Sequence, residues 1–307
     1  MKIAVYGTGG VGGYFGGLLA QAGHEVVFIA RGDHLAAIRQ NGLQVLSVHG
    51  DFHIQPAQAF VNPVEIGPVD VVVVAVKDYH LDSIVPHLPP LVGQDTMVVP
   101  LLNGVDAHER IGERIGMQHV VGGLCSVVSM IEAPGVIRQI SKLRSVRVGE
   151  LDRRPSERVA RLISAWSSQS VDAVQPDDIF TAIWTKFLFI AGFGGVGSLT
   201  RATMGELRSC PETRALYQQA FEEVAALAAA QGIDLPADIV QKTLAFSDGF
   251  EPGATSSMQR DVADGHRFEL EAFSGKIVAL AGRYNVPVPI HTAIYGLLKP
   301  ALIKAGG

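Results

Sequence analysis

The sequence predicts a doubly wound α/β sheet in the first half of the chain and an all-α domain in the second. Three observations carry this expectation. Short β-branched runs alternate with helical patterns from Lys2 to Leu101, the alternation of a parallel sheet. Val71–Val74 is an unbroken valine run, as a strand covered on both faces requires. From Pro176 onward the β-branched runs stop and long helical patterns replace them.

Taken in order, Lys2–Tyr6, Glu25–Ala30, Val69–Val76 and Thr96–Leu101 read as strands. Val11–Ala22, Asp33–Gln40 and Asp78–Leu88 read as the helices between them. Shorter strands follow at Val127–Ile131, Val136–Ile140 and Val146–Val148, with a turn at Pro134-Gly135. A helix over Pro155–Ser168 and a strand at Val171–Val174 close the half. Pro176-Asp177-Asp178 then interrupts the pattern, which places the domains at residues 1–176 and 177–307. In the second domain, Pro211–Gln231 has proline at the first helical position, an apolar stripe and Gly232 as its stop. Ser257–Ala281 carries Val262, Leu270, Phe273, Ile277 and Leu280 at helical spacing and reads as one helix.

A chain of 307 residues with 48% hydrophobic side chains has material for two cores. Charged residues make up 18%, below the ~25% of ordinary domains, which excludes a disordered chain. Twenty-five basic side chains against 30 acidic ones give a net charge of −5. No basic surface for nucleic acid or an anionic membrane is expected from that balance. Two cysteines, Cys125 and Cys210, make no disulfide framework. The opening residues MKIAVYGTGG lack the apolar segment of a signal peptide. The longest uncharged apolar run, Phe187–Thr200, is interrupted by four glycines and falls short of the ~20 residues of a membrane helix. The expectation is a soluble cytoplasmic protein.

Chemistry enters with the first turn. Strand Lys2–Tyr6 runs into Gly7-Thr8-Gly9-Gly10-Val11-Gly12 and then into a helix, the context that makes a G-x-G-x-x-G motif a Rossmann-type dinucleotide site. Gly7 permits the tight turn, Gly9 admits the pyrophosphate and Gly12 lets helix and strand approach. Free N–H groups at the helix start face the phosphates. The second strand ends in Arg31, where an acidic residue would take the ribose of NAD. A guanidinium suits a 2′-phosphate, which favours NADPH; the alternative is a solvated arginine.

Lys77 and Asn103-Gly104 stand just past later strands, where open α/β sheets bind ligands; a surface lysine and an ordinary turn are the plainer readings. Lys186 borders the apolar stripe of Ile179–Ala191. It either snorkels to water or, facing a cleft, loses its proton easily enough to act as an acid. Ser256-Ser257-Met258-Gln259 matches a capping box and leaves the Ser257 hydroxyl at the first helical position. Glu269 lies beside Leu270 near the apolar stripe, with Arg267 as an available partner. His80 and His87 read as surface or core residues, and the ten histidines show no metal-binding spacing. No G-x-S-x-G elbow is present.

Together these segments resemble the ketopantoate reductase (2-dehydropantoate 2-reductase) family over almost the whole chain. The resemblance rests on K-I-A-V-Y-G-T-G-G-V-G-G with Arg31-Gly32, A75-V76-K77, L102-N103-G104-V105, W184-T185-K186 and S256-S257-M258-Q259-R260-D261 followed by Glu269. It implies an NADPH-binding first domain, a helical second domain similar to the 6-phosphogluconate dehydrogenase C-terminal domain, and hydride transfer to the C2 ketone of a 2-oxo acid in pantothenate biosynthesis. By position, Lys186 resembles the general acid, Glu269 the residue that binds the substrate hydroxyl and holds that lysine, and Ser257 the carboxylate contact. Lys77 and Asn103 resemble the pair at the nicotinamide and substrate mouth. A homodimer is expected from the resemblance alone. The chain departs from the family where asparagines are usual: Ile190, Gly194, Met204 and Ala254 stand in their places. Each lost amide leaves a polar substrate group unpaired, at ~1–3 kcal/mol. Ketopantoate is therefore the leading substrate and a more apolar 2-oxo acid or ketone the runner-up. A non-catalytic NADPH-binding module is the third reading, against which the retention of Lys186 and Glu269 speaks.

Overall fold

Residues Ile3–Tyr6 alternate between two cores, and that alternation fixes the middle of the main sheet. Ile3 and Val5 face a cluster with Phe15, Phe28, Val71, Val73 and Trp166. Ala4 and Tyr6 face a second cluster with Val27, Val72, Val74, Leu81 and Leu102. Covering both faces is what a parallel sheet needs. The computed structural model describes residues 1–307 as two units, Met1–Ala182 and Ile183–Gly307, with the division inside the helix Ile179–Thr200.

The first unit begins β1 (Lys2–Tyr6), α1 (Gly10–Gln21), β2 (Glu25–Ile29), α2 (Gly32–Asn41), β3 (Leu43–Ser47), β4 (Phe52–Ile54) and β5 (Gln58–Phe60). It continues with β6 (Val69–Val74), the short α3 (Leu81–Ile84), β7 (Val92–Pro100) and α4 (Ala107–Ile115). Strands β8 (Gly122–Ser126), β9 (Ser129–Ala133), β10 (Val136–Gln139) and β11 (Ser145–Gly149), helix α5 (Glu157–Ser167) and β12 (Asp172–Val174) complete it. The main sheet has the order β5-β2-β1-β6-β7 and is parallel throughout. Ala4 lies opposite both Val27 and Val72. The winding reverses between β1 and β6, the switch point beyond which such sheets bind ligands. Two smaller sheets, β4-β3-β10-β9 and β12-β11-β8, hold the remaining strands. Trp166, fully buried on α5, donates its indole N–H to the Phe15 carbonyl of α1 at 3.1 Å.

Two local expectations in this unit are corrected. Asp78–Leu88 is not one helix: 3-10 turns at Asp78–His80 and Val85–His87 flank α3. Pro86 has no N–H to donate, and its ring excludes a continuous helix. The strand expected at Val127–Ile131 is displaced: β9 begins at Ser129 and runs to Ala133, Val127-Val128 form the link before it, and β8 at Gly122–Ser126 went unread. β3, β4 and β5 have five residues or fewer and carry too little pattern to be read beforehand.

The second unit is helical. It holds most of α6 (Ile179–Thr200), then α7 (Met204–Ser209), α8 (Pro211–Ala230), α9 (Ile239–Asp248), α10 (Ser257–Ala263), one π-helical turn at Glu271–Gly275, α11 (Lys276–Tyr284) and α12 (Pro289–Lys304). The expected long helix Ser257–Ala281 is broken because Gly265 turns the chain in the left-handed region at φ 69°. The glycines of α6 do not interrupt it. A Cβ at Gly192 would lie 2.6 Å from the Phe221 ring, and one at Gly195 2.8 Å from Ile294. They are contact points for α8 and α12, and the helix runs on for 22 residues. By length and composition alone α6 would cross a membrane; 61% of its most apolar stretch is buried in the protein. Glu223 of α8 accepts the backbone N–H groups of Ile290 (2.7 Å) and His291 (2.9 Å), the first turn of α12. The His291 ring, fully buried, donates to the Ala220 carbonyl at 3.1 Å and accepts from Ser274 at 3.1 Å.

Candidate active site

The glycine turn is tied to the end of β2 by one carbonyl. Ile29 O accepts the N–H groups of Gly7 and Thr8, each at 3.2 Å, and the buried Thr8 hydroxyl at 3.1 Å. Gly7 has φ 96°, which only glycine adopts without strain. Gly9 is the N-cap of α1, and its carbonyl accepts from Gly13 N at 2.7 Å. A Cβ at Gly9 would meet nothing within 4 Å, whereas one at Gly12 would sit 2.1 Å from Gly7 O. Gly10 is closed off by Ser129 O at 2.3 Å from its Cβ position, and Val11 is half-buried beside it. The turn is thus packed behind and open in front at Gly9, a backbone cradle that fits a dinucleotide pyrophosphate.

Arg31 is the extended, exposed N-cap residue of α2, so its side chain leaves the end of β2. Its Nη2 donates to His80 Nε2 at 3.2 Å. Lys77 follows β6, half-buried, and its carbonyl accepts from His80 N at 2.9 Å to begin the 3-10 turn. Asn103 follows β7, half-buried, and the next residue, Gly104, takes φ 110°. Lys77 and Asn103 therefore stand past the carboxyl ends of adjacent strands. Arg110 of α4 reaches Asp78 Oδ1 at 2.7 Å and Asp82 Oδ1 at 2.7 Å, with Asp106 at 3.8 Å. Burial works against its charge, but the hydrogen bond to Asp82 and the nearby Asp78 and Asp106 carboxylates outweigh it and raise its pKa.

His80 and Arg110 were missed as site neighbours in the sequence. The Asp106–Arg110 pair at i,i+4 is a readable signal. Contacts to residues 49 and 32 positions away are not.

In the second unit Lys186 is half-buried on α6, and Glu269 is 4% exposed in the irregular segment before the π turn. Ser257 opens α10 behind Ser256, whose hydroxyl accepts from Gln259 N at 3.0 Å. Only half of the expected capping box forms, because the Gln259 side chain donates instead to Ala202 O at 3.0 Å. At Gly194, α6 meets α10 and the π turn. A Cβ there would lie 3.5 Å from the Phe273 ring and 3.7 Å from Met258 Cβ. Met258 follows Ser257, and Phe273 N donates to the Glu269 carbonyl at 3.1 Å. Phe273 also meets Phe187, the neighbour of Lys186, with ring centroids 6.3 Å apart. Met204, 1% exposed, donates its N–H to the Ala254 carbonyl at 2.9 Å, so these two residues adjoin each other.

Comparison with known proteins covers both halves of the chain. Residues 3–153 match the family described as Ketopantoate reductase PanE/ApbA, and residues 178–301 match Ketopantoate reductase PanE/ApbA C terminal. A 2-dehydropantoate 2-reductase of Mesorhizobium japonicum is 29% identical, spanning 100% of this chain and 99% of its own. The crystal structure of 2-dehydropantoate 2-reductase from Porphyromonas gingivalis W83 is 30% identical with TM-score 0.85, covering 97% of this chain and 99% of that one. A ternary structure of D-mandelate dehydrogenase with NADH and anilino(oxo)acetate shares the fold, with TM-score 0.89 over 100% of this chain and 99% of that one at 23% identity.

Proposed function

The chain belongs to the ketopantoate reductase PanE/ApbA family of NAD(P)-dependent oxidoreductases, and on that premise we propose that it uses NADPH to reduce the C2 ketone of a 2-oxo acid, first of all 2-dehydropantoate to pantoate. The observation that carries this reading is the packing of Met258, next to Ser257, and of Phe273, whose N–H bonds the Glu269 carbonyl, around Gly194 of the helix that bears Lys186. The open backbone at Gly9 and the guanidinium of Arg31 at the end of β2 support the cofactor. When bound, NADPH supplies the hydride that reaches C2.

The chain's own residues do the rest. Ser257 takes the substrate carboxylate. The Lys186 ammonium stands at the ketone oxygen and donates its proton as that oxygen becomes an alkoxide, lowering the barrier as a charge and as an acid. Glu269 accepts from the resulting hydroxyl and orients the lysine. Lys77 and Asn103 hold the mouth where nicotinamide and substrate meet, and Arg31 takes the 2′-phosphate. Residues 1–176 form the cofactor domain and 177–307 the substrate domain in this reading.

A second reading is favoured by particular residues. Met204 is buried, Ala254 is paired to it, and Gly194 faces Phe273 and Met258. These surroundings suit a more apolar 2-oxo acid than ketopantoate. The test is oxidation of NADPH, followed by its absorbance, with ketopantoate, 2-oxoisovalerate and an aromatic 2-oxo acid in parallel. Turnover of ketopantoate well above the others supports the first reading. An inert ketopantoate beside an active apolar acid replaces it with the second.

A further inference from the structure

The turns after β6 and β7 are separate in sequence, yet one side chain joins them. Arg110 lies one helical turn beyond Asp106, which is itself three residues after Asn103. Its Nη1 donates to Asp78 Oδ1 at 2.7 Å, and Asp78 is the residue after Lys77. Its Nε and Nη2 both reach Asp82 Oδ1, at 3.0 and 2.7 Å, on the helix that continues from the Lys77 turn. The contacts differ in weight. The Asp82 side chain is 84% exposed and adds little. The side chains of Asp78 and Asp106 are 11% and 14% exposed, and the guanidinium lies between them. Without it, two shielded carboxylates would lose the cation they share, and the side-chain link between the two turns would be gone.

We propose that Arg110 is a positioning residue that locks the Lys77 turn to the Asn103 turn and so sets the geometry of the nicotinamide and substrate mouth. This rests on the reading of Lys77 and Asn103 as that mouth. A displacement of about 1 Å between groups that hold a reacting pair costs up to about a hundredfold in rate, so the lock acts on turnover more than on folding.

The experiment compares Arg110→Gln, Arg110→Lys and Asp78→Asn with the native chain. The 2-oxo acid is ketopantoate or, if that is inert, the panel acid that is turned over. Activity is counted per site titrated with NADPH fluorescence, so unfolded protein does not enter. Arg110→Gln is expected to lose roughly 10–100-fold in kcat/KM, with KM for the 2-oxo acid raised as well as kcat lowered. Arg110→Lys keeps the charge without the fork and is expected to lose less. Arg110→Gln combined with Asp78→Asn removes the facing carboxylate and is expected to recover part of the loss. Native kcat and KM per titrated site in Arg110→Gln, whatever its Tm, would overturn the proposal. Should Arg110→Gln fail to fold, Asp78→Ala removes the Nη1 contact from the other side and decides by the same readout. Lys77→Ala and Asn103→Ala run alongside. If both keep native kcat/KM, the mouth is misassigned and the inference falls with it; if they lose activity while the Arg110 variants do not, the inference alone fails.

Discussion

Lys186 stands half-buried on an otherwise apolar helix, and its proposed work is confined to one proton. Lys186→Ala should therefore lower kcat by roughly 10²–10⁴ while the NADPH Kd, read by fluorescence titration, stays within about threefold of native. Undiminished turnover would remove Lys186 from the chemistry. Arg31→Ala should weaken NADPH by roughly tenfold or more and NADH by much less, because only NADPH carries the group that the fork matches. Equal losses on the two cofactors would dissolve the 2′-phosphate argument. How much of the site the sequence revealed follows from the reach of each requirement. The glycine turn was legible because its glycines fall at fixed spacing between Gly7 and Gly12 directly after a strand, whereas its contacts to Ile29, Ala75 and Ser129 were not. The His80 contact to Arg31 was not, since His80 lies 49 residues away and nothing local marks it.

Among elements, α6 was the one whose glycines were hardest to interpret. On paper they interrupt an apolar run; in the fold they are the points where other helices come closest. Substitution should separate them. Gly192→Ala puts a methyl 2.6 Å from the ring of Phe221, which is fully buried and cannot yield. A loss of about 1–3 kcal/mol is expected from such overpacking. Gly194→Ala meets only ordinary contacts at 3.5 Å and should gain about 0.5–1 kcal/mol from the stiffer helix. Denaturant midpoints of the two variants check this, and movement in the same direction would refute the distinction. The other misread elements failed for similarly local reasons. Pro86 split a helix whose apolar spacing was intact, and Gly265 turned the chain within a stripe that kept its period. Period reports which face is buried; it does not report whether the backbone can remain continuous.

For the whole molecule, the layered order of elements was legible because strand and helix patterns alternate along the chain. The small sheets were not, because β3 and β10 pair as parallel neighbours across a long stretch of sequence. Stability as a function of pH is a property of the entire fold, and His291 gives it a direction. Burial lowers the pKa of this histidine from 6.5 to about 4, against a smaller upward pull from the Ala220 carbonyl. The unfolded chain therefore binds the proton first. Stability is fully present above pH 6.5 and is lost as pH falls towards about 4, by up to roughly 3 kcal/mol. Glu223, whose pKa burial raises, works the other way as pH falls. Urea midpoints at pH 7 and 5 should fall in the native chain and fall less in His291→Gln; parallel declines would show that other groups govern the acid limb. The two tryptophans add a practical consequence. Trp166 is buried in the unit of Met1–Ala182, bonded to the helix that begins at the glycine turn, and Trp184 is buried in the unit of Ile183–Gly307. Each half thus carries its own fluorophore. With Trp184→Phe, the remaining emission becomes an optical gauge of the nucleotide-cradling half alone, and its unfolding can be timed against that of its neighbour within one polypeptide.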